Sequence, residues 1–231
     1  MEGDPGVTYE LIEYPDRDLL VMGLANQLAG NLRSALGHRD RVGFAVPGGT
    51  SPGPVFDDLC AVDLDWPRVD VLLTDERWVP EDHPRSNTGL LRQRLMVDRA
   101  QNAGYLPLYA DAPEPESALE ALAAPISEIL PLSVVLLGMG TDLHTASLFP
   151  GADRLEEALS SRAPVLLPMR APGAPEARVT LSAHVLNGAL SKHVLIYGDE
   201  KREALEGAYG KPPLEAPINA VLSDARVHWA P

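Results

Sequence analysis

Val134-Val135-Leu136-Leu137-Gly138-Met139-Gly140-Thr141-Asp142-Leu143-His144-Thr145-Ala146-Ser147-Leu148-Phe149-Pro150-Gly151 is the stretch on which the reading of the fold depends. Its apolar opening has the composition of a buried strand. A glycine turn follows and delivers Asp142 and His144 to what the pattern predicts as the start of a short helix. In an open α/β sheet, ligands sit outside the carboxyl ends of the strands. An acid and an imidazole two residues apart therefore stand where a small molecule would bind. Histidine is the side chain suited by its ordinary pKa to proton transfer near neutrality.

Outward from this stretch, strand-like and helix-like segments alternate. Residues 19–36 read as a helix, with Leu20, Leu24, Leu28 and Leu32 on a spacing of four. Residues 42–46, 69–74, 133–137, 178–182 and 193–197 read as strands, and 218–222 as a final strand. Helices are expected over 54–60, 87–96 (with Ser86 or Asn87 as N-cap), 118–130 (interrupted by Pro125) and 199–208. Strands separated by helices predict an α/β fold: a mostly parallel open sheet with helices on both faces, in a modified Rossmann-like arrangement. The Pro/Gly-rich stretches 110–116 and 171–177 read as surface loops rather than linkers, so 1–231 is expected to form a single domain. No internal repeat is visible, and the segment before the first glycine turn is too short for a helix-turn-helix.

Composition narrows the function. The formal net charge is −14, from 33 acidic and 19 basic residues. Nucleic-acid surfaces rest on clustered Lys and Arg, so no nucleic-acid partner is expected. A few arginines can still build a local anion site on an acidic protein. Lys192, Lys201 and Lys211 are the only lysines, which leaves most anion recognition to arginine. Cys60 is the only cysteine, so an intramolecular disulfide is impossible. Residues 1–15 lack the basic-then-apolar pattern of an export signal. No apolar run approaches the ~20 residues of a membrane span. A cytoplasmic protein without a membrane partner is expected. His38, His83, His184, His193 and His228 show no metal spacing, and no metal site is expected.

Two further strand ends carry chemistry. The first is Val46-Pro47-Gly48-Gly49-Thr50-Ser51-Pro52-Gly53-Pro54. Glycines after a strand let backbone N–H groups face an anion, and Thr50 and Ser51 add hydroxyl donors. The alternative is a tight strand-to-helix turn with Ser/Thr capping. Gly48 and Gly53 have Walker A spacing, but Pro54 stands where the lysine must be. Gly49-x-Ser51-x-Gly53 matches a nucleophile elbow, but Pro52 lacks the N–H that would serve the oxyanion. The second is Thr74-Asp75-Glu76-Arg77-Trp78-Val79-Pro80, followed by Ser86-Asn87. Arg77 is suited to bidentate phosphate binding, and Asp75 to orienting a water or a sugar hydroxyl. A solvated ion pair is the alternative for each alone. Gly138-x-Gly140 hints at a dinucleotide fingerprint, but Leu143 replaces its third glycine. Arg178 precedes a strand, and Lys201 opens a helix after the Tyr197-Gly198 turn.

Together these motifs resemble the 6-phosphogluconolactonase family, within the wider glucosamine-6-phosphate isomerase/deaminase superfamily. The resemblance runs from Val42 to about Ser223 and includes Arg178-Val179-Thr180-Leu181 and Gly198-Asp199-Glu200-Lys201. It implies hydrolysis of 6-phospho-D-glucono-1,5-lactone to 6-phosphogluconate without metal or organic cofactor. The substrate partner is then a small phosphorylated sugar lactone. His144 would be the general base on water, with Asp142 or Asp75 orienting the imidazole or the substrate. Gly48, Gly49, Thr50, Ser51, Arg77, Asn87, Arg178 and Lys201 would hold the phosphate or the sugar oxygens. The isomerase branch carries Asn-Glu-Pro soon after its histidine, and Ser147-Leu148-Phe149-Pro150 supplies no such carboxylate. A non-catalytic sugar-phosphate sensor is a further alternative, opposed by the retained Asp142 and His144. One departure stands out: Leu143 occupies a position where the family usually has Gly. A left-handed backbone there would strain the leucine, whereas an ordinary one would tolerate it.

Overall fold

The computed structural model describes residues 8–172 and 174–231. Residues 1–7, at the start of the segment read as lacking an export signal, and Gly173, in the 171–177 loop, lie outside them. The elements follow in the order β1 (Glu10–Glu13), α1 (Arg17–Leu36), β2 (Val42–Val46), α2 (Gly53–Leu59), β3 (Val69–Leu73), β4 (Asp75–Arg77) and α3 (Asn87–Arg94). Next come β5 (Gly104–Leu106), α4 (Leu119–Glu128), β6 (Val134–Gly138), α5 (Leu155–Leu159), β7 (Leu166–Met169) and β8 (Arg178–Leu181). The chain ends with α6 (Ala183–Asn187), β9 (Ser191–Tyr197), α7 (Asp199–Glu206) and β10 (Arg226–Ala230).

Two local signals set the longest helix. The Asp16 carboxylate accepts from the Leu19 N–H at 2.8 Å and caps α1. Leu20, Leu24, Leu28 and Leu32 then form a fully buried stripe along it. Every residue of β2 and β3 is buried, as is β6 up to Gly138. Strands buried on both faces need cover on both sides, and such strands belong in parallel sheets flanked by helices. Seven strands pair in parallel in the order β1-β10-β9-β6-β2-β3-β5. One apolar cluster runs through this sheet, its helices and the loops above them. A second sheet of three antiparallel strands, β4-β8-β7, branches off one residue after β3 ends.

Three expectations change. The strand expected at 218–222 is a 3-10 turn over Pro217–Ala220. Pro217 lacks an N–H for a ladder, and Val221 N closes a short bond on Ile218 O at 3.0 Å. Its buried Ile218, Val221 and Leu222 imitate strand composition, while the last strand is β10. The helix expected after Asp142 is absent. Leu143 (φ +69°) and Ala146 (φ +49°) are left-handed, which no helix tolerates, and the segment closes as turns with a Thr145–Leu148 bridge. The strand at 178–181 lies in the small antiparallel sheet, not the parallel one.

Candidate active site

The turn after β6 shapes the imidazole's surroundings. Gly140 N donates to His144 O at 3.0 Å, Leu143 N to Gly140 O at 3.0 Å, and Thr145 Oγ1 to Gly138 O at 2.8 Å. Gly140 has to be glycine: a Cβ there would lie 2.3 Å from the His144 ring and 2.5 Å from Asp142 Oδ1. Asp142 Oδ1 stands 2.5 Å from His144 Nδ1 and also accepts the His144 N–H at 3.3 Å. An ionised carboxylate only accepts hydrogen bonds, so the Nδ1 position carries the proton. In the neutral ring Nε2 is then the free base, and it makes no hydrogen bond among the described residues. The ring stacks on Phe149 with centroids 4.2 Å apart.

The same cleft is lined by two arginines. Arg77 on β4 and Arg178 on β8 are direct cross-strand partners, so their side chains leave the small sheet on one face. Like charges placed opposite one another destabilise a ladder unless something of opposite sign joins them. Each guanidinium has a buried Nε that makes no hydrogen bond among the described residues. Arg77 Nη1 donates to Arg85 O at 2.5 Å. Arg178 Nη1 lies 3.6 Å from Asp75 Oδ2 and 3.5 Å from Ser147 Oγ, and its side chain is 11% exposed. Burial pushes the Arg178 guanidinium below its ordinary pKa, Asp75 pulls it back up, and Arg77 adds to the lowering. The pair is thus arranged to take an anion.

A cavity of about 230 Å³ lies over the carboxyl ends of β2 and β6, beside β4. Gly48, Gly49, Ser51, Asp75, Arg77, Asn87, His144, Arg178 and Lys201 line it. Lys201, in the first turn of α7, is half-buried, and burial lowers its ammonium pKa against the opposing pull of Glu200. Two candidates fall outside the lining. Thr50 is exposed and does not line the cleft, and Asp142 sits on the Nδ1 side of His144. The two carboxylates also separate. Asp142 holds the imidazole, whereas the nearly buried Asp75 accepts from Ser147 Oγ at 2.6 Å and faces Arg178. Gly48 admits the Asn87 side chain, since a Cβ there would lie 2.0 Å from Asn87 Cγ.

Three contributors escape the motif reading. Glu76 is 1% exposed, and its carboxylate takes five donors: the N–H groups of Arg77, Asn87 and Thr88 and the hydroxyls of Ser86 and Thr88, at 2.7–3.0 Å. It thereby ties β4 to the N-terminus of α3 and sets Arg77 and Asn87. Ser147 bridges Asp75 and Arg178. Phe149 lies against both His144 and Arg178. Glu76 beside Arg77, with Ser86 and Thr88 downstream, was the available sequence signal. Nothing local marked Ser147 or Phe149. Among the described residues no group of three or more His, Cys, Asp or Glu could hold a metal ion, and no helix is long and apolar enough to cross a membrane.

A covered parallel sheet with a carboxylate-held imidazole and three cations around one cleft defines an α/β protein for small anionic ligands. The chain belongs to the family described as glucosamine-6-phosphate isomerases/6-phosphogluconolactonase, whose model matches residues 15–229. It is 41% identical to a 6-phosphogluconolactonase of Mesorhizobium japonicum, covering 98% of this chain and 97% of the relative. It is 40% identical to a 6-phosphogluconolactonase of Pseudomonas aeruginosa over 90% of each. A crystal structure of a 6-phosphogluconolactonase from Shewanella baltica superposes with a TM-score of 0.93 at 30% identity, covering 97% of this chain and 98% of that one.

Proposed function

We propose that this chain hydrolyses the ring ester of 6-phospho-D-glucono-1,5-lactone to 6-phospho-D-gluconate, the second step of the oxidative pentose phosphate pathway. The observation that carries the reading is the cleft itself, lined by both His144 and the cross-strand Arg77–Arg178 pair. The relatives named 6-phosphogluconolactonase, matched over nearly their whole length, support the same activity.

His144 Nε2 takes a proton from water as the water attacks the lactone carbonyl. Asp142 stabilises the imidazolium so formed and keeps the proton on Nδ1 in the neutral ring. The tetrahedral intermediate collapses by breaking the bond from C1 to the ring oxygen, and His144 returns its proton to that oxygen. Arg77, Arg178 and Lys201 hold the phosphate dianion, with Gly48, Gly49, Ser51 and Asn87 around the sugar oxygens. Binding energy at the remote phosphate positions the ester carbonyl. Asp75 neutralises Arg178 and keeps it aimed into the cleft. No step calls for a metal or an organic cofactor. We read 1–231 as one domain working in the cytoplasm, supported by its single apolar cluster and the lone, buried Cys60.

Decay of freshly made 6-phosphogluconolactone, followed with and without protein and corrected for spontaneous hydrolysis, tests the reading. Ammonia release from glucosamine 6-phosphate is the parallel arm. We expect rapid lactone decay, no ammonia, and a roughly 10²-fold or greater loss of turnover in folded His144→Ala. Full turnover in that variant would remove His144 from the mechanism, and ammonia release would reassign the reaction.

A further inference from the structure

We propose that Phe149 is a positioning residue that sets the proton-transfer base and the anion grip with one aromatic ring; this rests on the lactonase reading above. The His144 ring stacks on Phe149 at 4.2 Å between centroids, with the planes 27° apart. The Arg178 guanidinium carbon stands 5.1 Å from the same ring's centroid. Phe149 does not line the cavity, so it acts through these two neighbours rather than on substrate.

Each neighbour is otherwise incompletely held. His144 has one hydrogen-bonded nitrogen, Nδ1, and rotation about that bond is limited only by what packs on the ring. Gly140 removes a side chain from that surrounding space, leaving the ring stacked on Phe149. Arg178 reaches Asp75 and Ser147 only at 3.6 and 3.5 Å, and its Nε makes no hydrogen bond among the described residues. An aromatic face supplies what both need. It is flat enough to fix a ring plane, and its quadrupole attracts a cation. Arg178 is a permanent cation, and His144 becomes one at the moment it accepts the water's proton. The Phe149 ring therefore favours the charged state that forms during the reaction, beside the Asp142 carboxylate at Nδ1.

The test compares Phe149→Leu, which fills the space without a π face, with Phe149→Tyr, which keeps the face. Both are measured by steady-state hydrolysis of the phosphorylated lactone, net of spontaneous decay, alongside His144→Ala. Thermal melts show that each variant is folded. Phe149→Leu should lower kcat about tenfold and raise KM several-fold, while Phe149→Tyr restores both to within about twofold of the parent. In a spectrum of histidine labelled on the ring, the His144 Hε1 resonance should move downfield in Phe149→Leu, as the shielding face is lost, and return in Phe149→Tyr. Unchanged kcat in Phe149→Leu, or Phe149→Tyr as impaired as Phe149→Leu, overturns the positioning role. So does an unmoved His144 resonance. If instead His144→Ala turns over like the parent, the lactonase mechanism itself fails, an outcome read from a different variant.

Discussion

Leu143→Gly and Leu143→Ala form a matched pair that isolates backbone strain next to the His144 imidazole. Leu143 is left-handed at φ +69° and 6% exposed. A left-handed backbone costs a residue with a Cβ about 1–2 kcal/mol, and glycine nothing. Removing a buried leucine side chain costs about 2–5 kcal/mol in typical cores. Leu143→Ala loses the packing and keeps the strain. Leu143→Gly loses the Cβ as well and releases the strain, against about 0.5–1 kcal/mol of added freedom in the unfolded chain. The glycine variant should therefore be at least as stable as the alanine one, by up to about 1.5 kcal/mol, with both below the parent. At an ordinary helical or strand position the order reverses. The assay is urea unfolding, read as a change in midpoint at constant slope, with thermal melts as a check. For a chain of this size about 1 kcal/mol moves Tm by roughly 2–4 °C. Leu143 O also receives the Ile218 N–H at 3.0 Å, a bond the glycine variant keeps, so its kcat should stay within about threefold of the parent. Alanine more stable than glycine would refute the left-handed turn, and with it the reason given for the lost helix after Asp142.

Three further outcomes follow from the site and the core. Asp142→Asn should lower kcat by tenfold or more at nearly constant KM, because the amide no longer favours the imidazolium; an unchanged kcat would show that the contact at Nδ1 is incidental. Arg77→Ala should mainly raise KM. Arg178→Ala should also raise KM, but with a stability loss of about 1–3 kcal/mol from the stranded Asp75 carboxylate, so equal melts for the two variants would contradict the Asp75 assignment. A buried chain runs from Tyr14 Oη to His228 Nδ1 (3.1 Å), from His228 Nε2 to His193 Nδ1 (2.9 Å), and from His193 Nε2 to Asn31 Oδ1 (2.8 Å). Burial pushes His193 down to about 3 and His228 down to about 4, so both stay neutral in the folded protein while the unfolded chain protonates them near 6.5. The unfolded state then binds more protons, and stability present above pH 6.5 is lost as the pH falls toward those lower values. The loss is about 2 kcal/mol per ring at pH 5. A urea midpoint that stays level from pH 7 to pH 5 would refute this.

The central strands were legible because they are simple. Val42–Val46 and Val134–Gly138 are apolar on both faces, and Val69–Leu73 is so except for Asp70, which ion-pairs with Arg41. The leucine spacing of α1 was equally plain. Asp75–Arg77 was not read as a strand, since three charged residues carry no period and their partner lies a hundred residues downstream. Pro168 hid Leu166–Met169 in the same way. Ile218 to Leu222 failed in the opposite direction, because buried apolar residues were taken for strand when Pro217 had already turned the chain. At the site, the strand ends announced His144, Arg77 and the Gly48–Gly49 turn. What could not be read was registration: that Arg178 faces Arg77, that Asp75 goes to Arg178 rather than to His144, and that Phe149 lies under both.

His144 hangs from the large parallel sheet, while Arg77 and Arg178 ride on the small antiparallel one. The distance from imidazole to arginine pair is thus a property of how two sheets are mounted, and Ser147 Oγ on Asp75 Oδ2, with Ser147 N on Thr180 Oγ1, bolts one to the other. Substitutions that loosen this mounting should detune turnover while leaving His144, Arg77 and Arg178 intact. Loss of activity would then map to Ser147 and Thr180, positions that do not line the cleft.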